Sequence, residues 1–171
     1  YRLVPARQLW QNGNFYVVNT KEGGSNTVTI RRFTNFTWPT GVPTYDTTVK
    51  TVNSYAVAPA ATQKGESRKL EVIDCRTLAV TFSNQKLFVT HQSAANFGTG
   101  LRGCTKWYRF NVGLGTEVDE TIGFTNFDCY YPAIASNLNG DASLSMAYSG
   151  ATEYASIIHA GCKISETGVG G

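Results

Sequence analysis

The sequence has few charged residues, a single methionine and no long apolar run. Charged residues make up 16% of its 171 residues, against roughly 25% in soluble domains, which excludes a charge-driven disordered tail or a coiled coil. The 15 Lys and Arg and 12 Asp and Glu give a net charge of +3, with the basic residues scattered along the chain. This distribution argues against nucleic-acid binding. No segment reaches the roughly 18 apolar residues of a membrane-spanning helix, so no span is predicted.

The four cysteines do not form a zinc-binding pattern. Cys75, Cys104, Cys129 and Cys162 are separated by 29, 25 and 33 residues, and no Cys-x-x-Cys pair occurs. An even number of cysteines in a chain rich in Thr, Asn, Ser and Gly predicts disulfides in an oxidising compartment, with the pairing left open. We therefore expect an extracellular or cell-surface location. If the source is eukaryotic, Asn35, which begins an Asn-x-Thr sequon, is a predicted glycosylation site.

The dominant local pattern is an alternation of apolar and polar residues with a period of two. It is clearest over residues 142–148, where Leu144 and Met146 alternate with Ser143 and Ser145. Similar runs rich in Val, Ile, Thr, Tyr and Phe occur at 15–19, 27–33, 78–82, 87–91 and 105–112. No helical period is sustained, and turn-forming residues separate the runs. The sequence therefore predicts an all-β fold of antiparallel strands.

Turn-and-strand segments recur along the chain. Three of them combine a turn with an apolar strand: NGNFYVV at 12–18, NQKLFVT at 84–90 and NGDASLSM at 139–146. The first two start 72 residues apart, and a second match relates residues 55–65 to 130–140, with Pro59 lying 73 residues before Pro132. We interpret 1–171 as a single segment of repeat units at about 1–72 and 73–140, with a partial unit at 141–171.

Five motifs carry a resemblance to a known family: DCR at 74–76, NQKLFVTH at 84–91, KWYRFNV at 106–112, YYPAIASNLNGDASLSMAYSG at 130–150 and YASIIHAG at 154–161. Over about residues 55–162 the chain resembles exported β-propeller proteins of the sialidase-like or BNR-like kind. The resemblance implies antiparallel β-propeller-like blades, about three in a chain of this length, whereas closed propellers have 4 to 8. Because the chain begins at Tyr1 without an initiator Met, we expect a processed product or a segment of a longer chain. Its partners would be the remaining blades of that chain or further copies of itself.

Aromatic side chains are the best candidates for ligand contact, since flat rings stack on sugars and anchor protein interfaces. Trp38 lies in the turn TWPTG at 37–41, where we expect it to be exposed. Trp38 and Tyr130 are the predicted ligand-binding residues. Trp107 and Tyr131 are predicted to pack between blades instead.

Asn137, Asn139 and Asp141 alternate along a Gly-containing turn, so their oxygens could converge on a hard cation such as Ca²⁺. The same residues make an ordinary Asn-Gly hairpin turn, and the bidentate acid of a strong calcium loop is missing. We favour the turn and expect no cofactor, with a Ca²⁺ site as the alternative.

A sialidase-like hydrolase would need acids and arginines that converge on its substrate. The acids considered are Asp74, Asp119, Glu120, Asp128 and Glu153, and the arginines are Arg76, Arg102 and Arg109. No motif groups them, no Gly-x-Ser-x-Gly sequence supplies a nucleophile, and the Asp-box Ser-x-Asp-x-Gly-x-x-Trp of sialidases is absent. His91 and His159 are predicted to be structural or surface residues.

The predicted function is that of a secreted, non-catalytic β-propeller-like module for recognition or assembly, which binds glycan or protein at the cell exterior. Two alternatives stay open. One is a structural subunit of an extracellular filament or layer, and the other is part of a sialidase-like glycoside hydrolase.

Overall fold

The computed structural model of the chain describes residues 2–9, 12–35 and 40–168. These residues form β-strands and no helix, which confirms the predicted all-β class. None of them belongs to a helix that could cross a membrane. The strands are β1 (Val4–Pro5), β2 (Arg7–Gln8), β3 (Phe15–Thr20), β4 (Ser25–Thr34), β5 (Thr44–Tyr55), β6 (Thr77–Ser83), β7 (Lys86–Asn96), β8 (Leu101–Asn111), β9 (Thr116–Ile122), β10 (Phe127–Ser136), β11 (Ala142–Gly150) and β12 (Glu153–Cys162).

The strands form three sheets. The first sheet has the order β1-β3-β4-β5, the middle sheet β2-β6-β7-β8-β9 and the third sheet β10-β11-β12. Neighbouring strands run antiparallel, except that the short β2 pairs in parallel with β6. Most connections join strands that are adjacent in both sequence and space, because short turns link antiparallel neighbours.

The middle sheet lies between the other two and is buried on both faces. On one face, Val89 packs in a cluster with Ile30 of the first sheet. On the other face, Phe88 and Trp107 pack in a cluster with Leu144 of the third sheet. Successive residues of a strand point to opposite faces, so β7 and β8 need apolar residues on both sides. In the described part of the chain the three sheets form an open stack rather than a closed ring.

A partly buried polar cluster connects the middle sheet with the first. Nζ of Lys106 donates a hydrogen bond to Oδ1 of Asp119 at 2.6 Å. The other carboxylate oxygen of Asp119 accepts the N–H of Asn53 in β5. Nε2 of His91 lies 3.0 Å from the Tyr108 hydroxyl. Burial of such groups is tolerated because each has a partner.

The three recurring turn-and-strand segments lead into β3, β7 and β11. If the short β2 is left out, each of these is the second strand in the order of its sheet. Positive φ angles mark the turn before each strand, at Gly13 (φ 78°), Asn84 (φ 42°) and Gly140 (φ 88°). The sequence match between residues 55–65 and 130–140 does not correspond to equivalent structure. Residues 56–65 follow β5, whereas residues 130–136 belong to β10. The third sheet begins at Phe127, inside the second predicted unit.

The predicted disulfides are wrong for this structure, because all four cysteines are free and buried. Cys75 packs between the first and middle sheets, whereas Cys129 and Cys162 pack between the middle and third sheets. Burial raises the pKa of the Cys75, Cys104 and Cys129 thiols to about 12. They therefore act as small apolar side chains of the core. A disulfide requires two cysteines with close Cβ atoms. The even number of cysteines does not predict which of them lie close together in the fold.

Candidate functional site

A surface cleft lies where β10 meets the long connection from β5 to β6. It has a volume of about 410 Å³ and is lined by Val57, Glu71, Val72, Ile73, Asp74, Arg76 and Tyr131. Ligand pockets span roughly 300–1,000 Å³, so the cleft has room for a small ligand. It combines apolar side chains with a few charged ones, as binding sites do.

The connection that forms one wall of the cleft is fixed to the sheets. The N–H of Thr62 donates to Oδ2 of Asp128 at 3.0 Å. Near its other end, the N–H of Cys75 donates to the carbonyl of Glu22 at 3.1 Å. Asp128 is 2% exposed, so its bond to Thr62 is shielded from water and strong. The cleft wall is therefore preorganised by the first and third sheets.

Tyr131 reaches the cleft because of a β-bulge in β10. The pairing of β10 with β11 shifts in register between Tyr130 and Ala133, and Tyr131 has a φ of 50°. This conformation is uncommon for an aromatic residue and marks strain. An extra residue in one strand changes which side chains face the core. Tyr130, predicted to contact ligand, is consequently 5% exposed, and Tyr131, predicted to pack between blades, is 50% exposed.

Asp74 and Arg76 supply hydrogen-bonding groups to the cleft. The backbone N–H and Nε of Arg76 both donate to Oδ1 of Asp74 at 2.9 Å. This bond raises the pKa of Arg76, so the guanidinium keeps its charge. Within the described chain, no residue donates to Oδ2 of Asp74 and none accepts from the Nη atoms of Arg76. The exposed Glu71 adds a second carboxylate, so donors and acceptors lie side by side.

Two buried polar atoms beside Tyr131 have no hydrogen-bond partner among the described residues. They are Nε2 of Gln92 and Oη of Tyr130. Oε1 of Gln92 accepts the Tyr131 N–H at 3.4 Å, and the rings of Tyr130 and Tyr131 are 5.7 Å apart. An unpaired buried group costs about 1–3 kcal/mol, so each needs an explanation. Backbone strain and unpaired polar groups thus coincide at the edge of the cleft.

Two of the three proposed calcium ligands, Asn137 and Asp141, are hydrogen-bonded to each other within their turn. Nδ2 of Asn137 donates to Oδ2 of Asp141, and the N–H of Asp141 donates to Oδ1 of Asn137, both at 2.9 Å. Oδ1 of Asp141 accepts the N–H of Ile164, and the carbonyl of Asn139 accepts from Asn84. The hydrogen bonds from Asn137 and Ile164 lower the pKa of Asp141. The residues that the structure describes contain no group of three or more His, Cys, Asp or Glu suited to a metal ion.

We expect neither added Ca²⁺ nor a chelator to change the midpoint of thermal unfolding. The side-chain oxygens of Asn137 and Asp141 already accept hydrogen bonds from N–H groups of the turn and of Ile164, and a bound ion would compete with these bonds. Differential scanning calorimetry with excess Ca²⁺ and with EDTA measures this directly. A rise in midpoint with Ca²⁺ that is absent in Asp141→Asn would establish the calcium site instead.

Four other residues considered for a hydrolase are engaged in separate contacts: Arg102, Asp119, Glu120 and Asp128. Arg102 donates to Asp128, Lys106 to Asp119, and Nε1 of Trp107 to Glu120. His91 is buried between sheets, whereas His159 is exposed on β12. Asp74 and Arg76 are the members of the predicted set that meet in the cleft.

Trp38, the other predicted ligand-binding residue, lies outside the described residues. Asn35 is exposed with a φ of 62°. Its Nδ2, the atom that glycosylation modifies, lies 3.2 Å from the carbonyl of Val42. The rest of its sequon also lies outside the described residues.

Comparison of the chain with models of protein families, with curated proteins and with solved structures found no match.

Proposed function

We propose that the chain is a non-catalytic recognition module of the cell exterior, and that its cleft binds a neutral sugar. The observation that carries this proposal is the exposed ring of Tyr131, which a strained bulge holds beside donor and acceptor groups. Strained backbone persists where the surrounding structure maintains it, and such positions cluster at ligand sites.

The chemistry of the cleft matches a polyhydroxylated ligand. The flat face of Tyr131 offers a surface for the C–H groups of a pyranose ring. Oδ2 of Asp74 and the carboxylate of Glu71 would accept hydrogen bonds from sugar hydroxyls, and the Nη atoms of Arg76 would donate to them. Two carboxylates and one guanidinium give the cleft a net negative charge, which disfavours the binding of acidic sugars.

The stack of sheets supports a β-propeller-like arrangement in this proposal. The first sheet (β1, β3, β4 and β5) and the β6–β9 part of the middle sheet each have four antiparallel strands, the number in a propeller blade. Each pair of neighbouring sheets shares an apolar cluster. We treat the three sheets as consecutive blades, with the cleft built by the connection between the first two and the bulge of the third.

Tyr131→Ala is expected to weaken sugar binding about tenfold, which corresponds to about 1.4 kcal/mol. The variant removes the stacking surface but leaves the carboxylates and the guanidinium in place. Saturation-transfer NMR against a panel of neutral methyl glycosides and disaccharides identifies a binding sugar, and isothermal titration calorimetry then gives its affinity.

Tyr154→Ala serves as the matched control, because Tyr154 is a 65% exposed tyrosine on β12 outside the cleft. It should bind with the affinity of the unmodified chain, and Arg76→Ala should lose affinity as Tyr131→Ala does. If no sugar of the panel binds, or if both tyrosine variants bind equally well, the cleft is not a sugar site.

A second candidate function, assembly, is favoured by a separate observation. The third sheet ends on a long exposed strand that carries almost no charge.

A further inference from the structure

A loop at residues 62–69 projects from the connection between β5 and β6. Its two ends are joined by backbone hydrogen bonds, in which Ala61 and Leu70 each donate an N–H to the carbonyl of the other, at 2.9 and 2.8 Å. The six residues at 64–69, with the sequence KGESRK, are all exposed and belong to no strand. Exposed loop tips of small and polar residues are the preferred sites of proteolytic cleavage. The loop therefore gives a protease access to the backbone.

The three basic residues of the loop differ in how firmly they are held. The N–H of Lys64 donates to the carbonyl of Glu153 at 3.2 Å, and its Nζ lies 5.1 Å from the centre of the Tyr154 ring. Lys64 is therefore fixed to β12. Four residues further on, the carbonyl of Arg68 accepts a hydrogen bond from Nε2 of Gln63 at 3.0 Å, and this bond is exposed to water.

The peptide bond after Arg68 is easier to free from the loop than the bond after Lys69. The bond after Lys69 includes the N–H of Leu70, which donates to the carbonyl of Ala61. Freeing it would break the closure of the loop, whereas freeing the carbonyl of Arg68 requires the loss of one side-chain hydrogen bond from Gln63. A single exposed hydrogen bond contributes little net stability.

Other basic residues in connections are less suited to cleavage. They are Arg2, Lys21, Lys163 and the half-buried Arg76. The carbonyl of Lys21 accepts the N–H of Gly24 at 3.3 Å, within a tight turn. The carbonyl of Lys163 accepts the N–H of Glu166 at 2.9 Å. A serine protease must bring the carbonyl of the cleaved bond into its oxyanion hole, so these turns would have to open first.

We propose that the Arg68–Lys69 peptide bond is a processing site for a trypsin-like serine protease, and that the cut chain remains one folded body. Such a protease has an acidic S1 pocket that binds the side chain of Arg or Lys. Hydrolysis adds one water molecule across the bond, so that Arg68 ends in a carboxylate and Lys69 begins with an ammonium group.

Contacts across the cut hold its two parts together. Residues of both parts, 1–68 and 69–171, form the apolar cluster between the first and middle sheets, and β2 of one part pairs with β6 of the other. The hydrogen bonds between Ala61 and Leu70 also join the two parts, so the wall of the cleft after Leu70 keeps its anchor. The inference does not depend on the proposed sugar binding.

Limited digestion of the folded chain with trypsin tests the site. Mass spectrometry of samples taken over time should show residues 1–68 and 69–171 as the first products. Native mass spectrometry of the same samples should show both products in one species near 18.6 kDa, the mass of the uncut chain. A cut after Arg2 removes two residues and is distinguished by its mass.

Three variants test which bond is cut and what restrains it. Arg68→Gln should slow the loss of uncut chain by about tenfold or more, because the remaining bond after Lys69 opens less readily. Gln63→Ala frees the carbonyl of Arg68 and should speed the cut by about two- to tenfold, the factor expected for one hydrogen bond. Lys163→Gln is the matched control at another exposed basic residue, and it should leave the rate unchanged. Circular dichroism checks that each variant folds.

Three results would overturn the proposal. They are a first cut elsewhere than in the loop, an Arg68→Gln chain that is cut as fast as the unmodified chain, and separation of the two parts under native conditions. A Gln63→Ala chain that is cut no faster than the unmodified chain would contradict the role of the hydrogen bond from Gln63 in restraining the bond.

Discussion

Replacing Trp107 with alanine is expected to destabilise the fold by about 3–5 kcal/mol. Trp107 is fully buried in the cluster between the middle and third sheets. Its Nε1 donates to Oε2 of Glu120 at 2.7 Å. The substitution leaves a large cavity between two sheets and removes this hydrogen bond, and close-packed interiors relax only partly around such a loss.

Urea unfolding followed by circular dichroism measures this change, provided that the dependence on urea keeps its slope. Trp107→Phe retains most of the apolar contact but lacks the N–H donor. Its free energy of unfolding should lie between those of the unmodified chain and Trp107→Ala. Tyr154→Ala, at an exposed position, should change stability by no more than about 0.5 kcal/mol. A loss in Trp107→Ala as small as that of Tyr154→Ala would contradict the stacked arrangement of these two sheets.

Lowering the pH from 7 to 4 is expected to reduce the free energy of unfolding by about 3 kcal/mol through the titration of His91 alone. The pKa of His91 is lowered from 6.5 to about 4, mainly by burial and also by the charge of Lys106, while the hydrogen bond with the Gln92 carbonyl and the charge of Asp119 oppose the shift. The ring of Tyr55 meets the His91 ring edge-on, with the centroids 4.6 Å apart, and the ring of Tyr108 stacks with it at 5.6 Å.

The direction follows from proton uptake by the unfolded chain. Between pH 6.5 and pH 4 an unfolded His91 binds a proton that the folded one does not, so protonation favours unfolding as the pH falls. Well above pH 6.5 the residue is neutral in both states and contributes no pH dependence.

His91→Gln isolates this contribution from that of the carboxylates, which titrate in both chains. The difference in unfolding free energy between the unmodified chain and the variant should change by about 3 kcal/mol from pH 7 to pH 4. The exposed His159 is present in both proteins and cancels. A difference that is constant with pH would show that His91 is not held neutral between the first and middle sheets.

Strands with one buried face, or with both faces buried, could be predicted from the sequence. The alternating runs correspond to β3, β4, β6, β7, β8 and β11. The exposed edge strands β5 and β12 were not predicted, because no buried face imposes an apolar alternation on them. In β5, for example, the large side chains of Tyr45 and Val49 are 63% and 60% exposed, so their positions do not mark a buried face.

The candidate site was predictable only in part, because a single bulge decides which tyrosine is exposed. Asp74 and Arg76 are evident in the sequence, but their approach to Tyr131 depends on the packing of a long connection against β10. The sequence does contain one signal of the bulge. Pro132 follows the two tyrosines within an otherwise regular strand, and proline inside a strand is confined to edges and bulges because it lacks the N–H donor.

Composition and cysteine number predict disulfides, but the fold places the thiols in separate parts of the core. Cys75 and Cys129 belong to clusters on opposite faces of the middle sheet. The two cysteines are separated because of the order of the strands in the sheets, and this order cannot be read from the sequence.

Mapping a bound sugar by NMR chemical shifts tests the proposed recognition site most directly. With a ¹⁵N-labelled chain and a neutral sugar selected from the panel, we expect the largest shifts at the backbone amides of residues 71–76 and of Tyr131. The side-chain amide of Gln92, whose Nε2 has no partner in the described part of the chain, should shift with them. Shifts confined to other surfaces, or none at saturating sugar, would contradict the assignment of this cleft as the functional site.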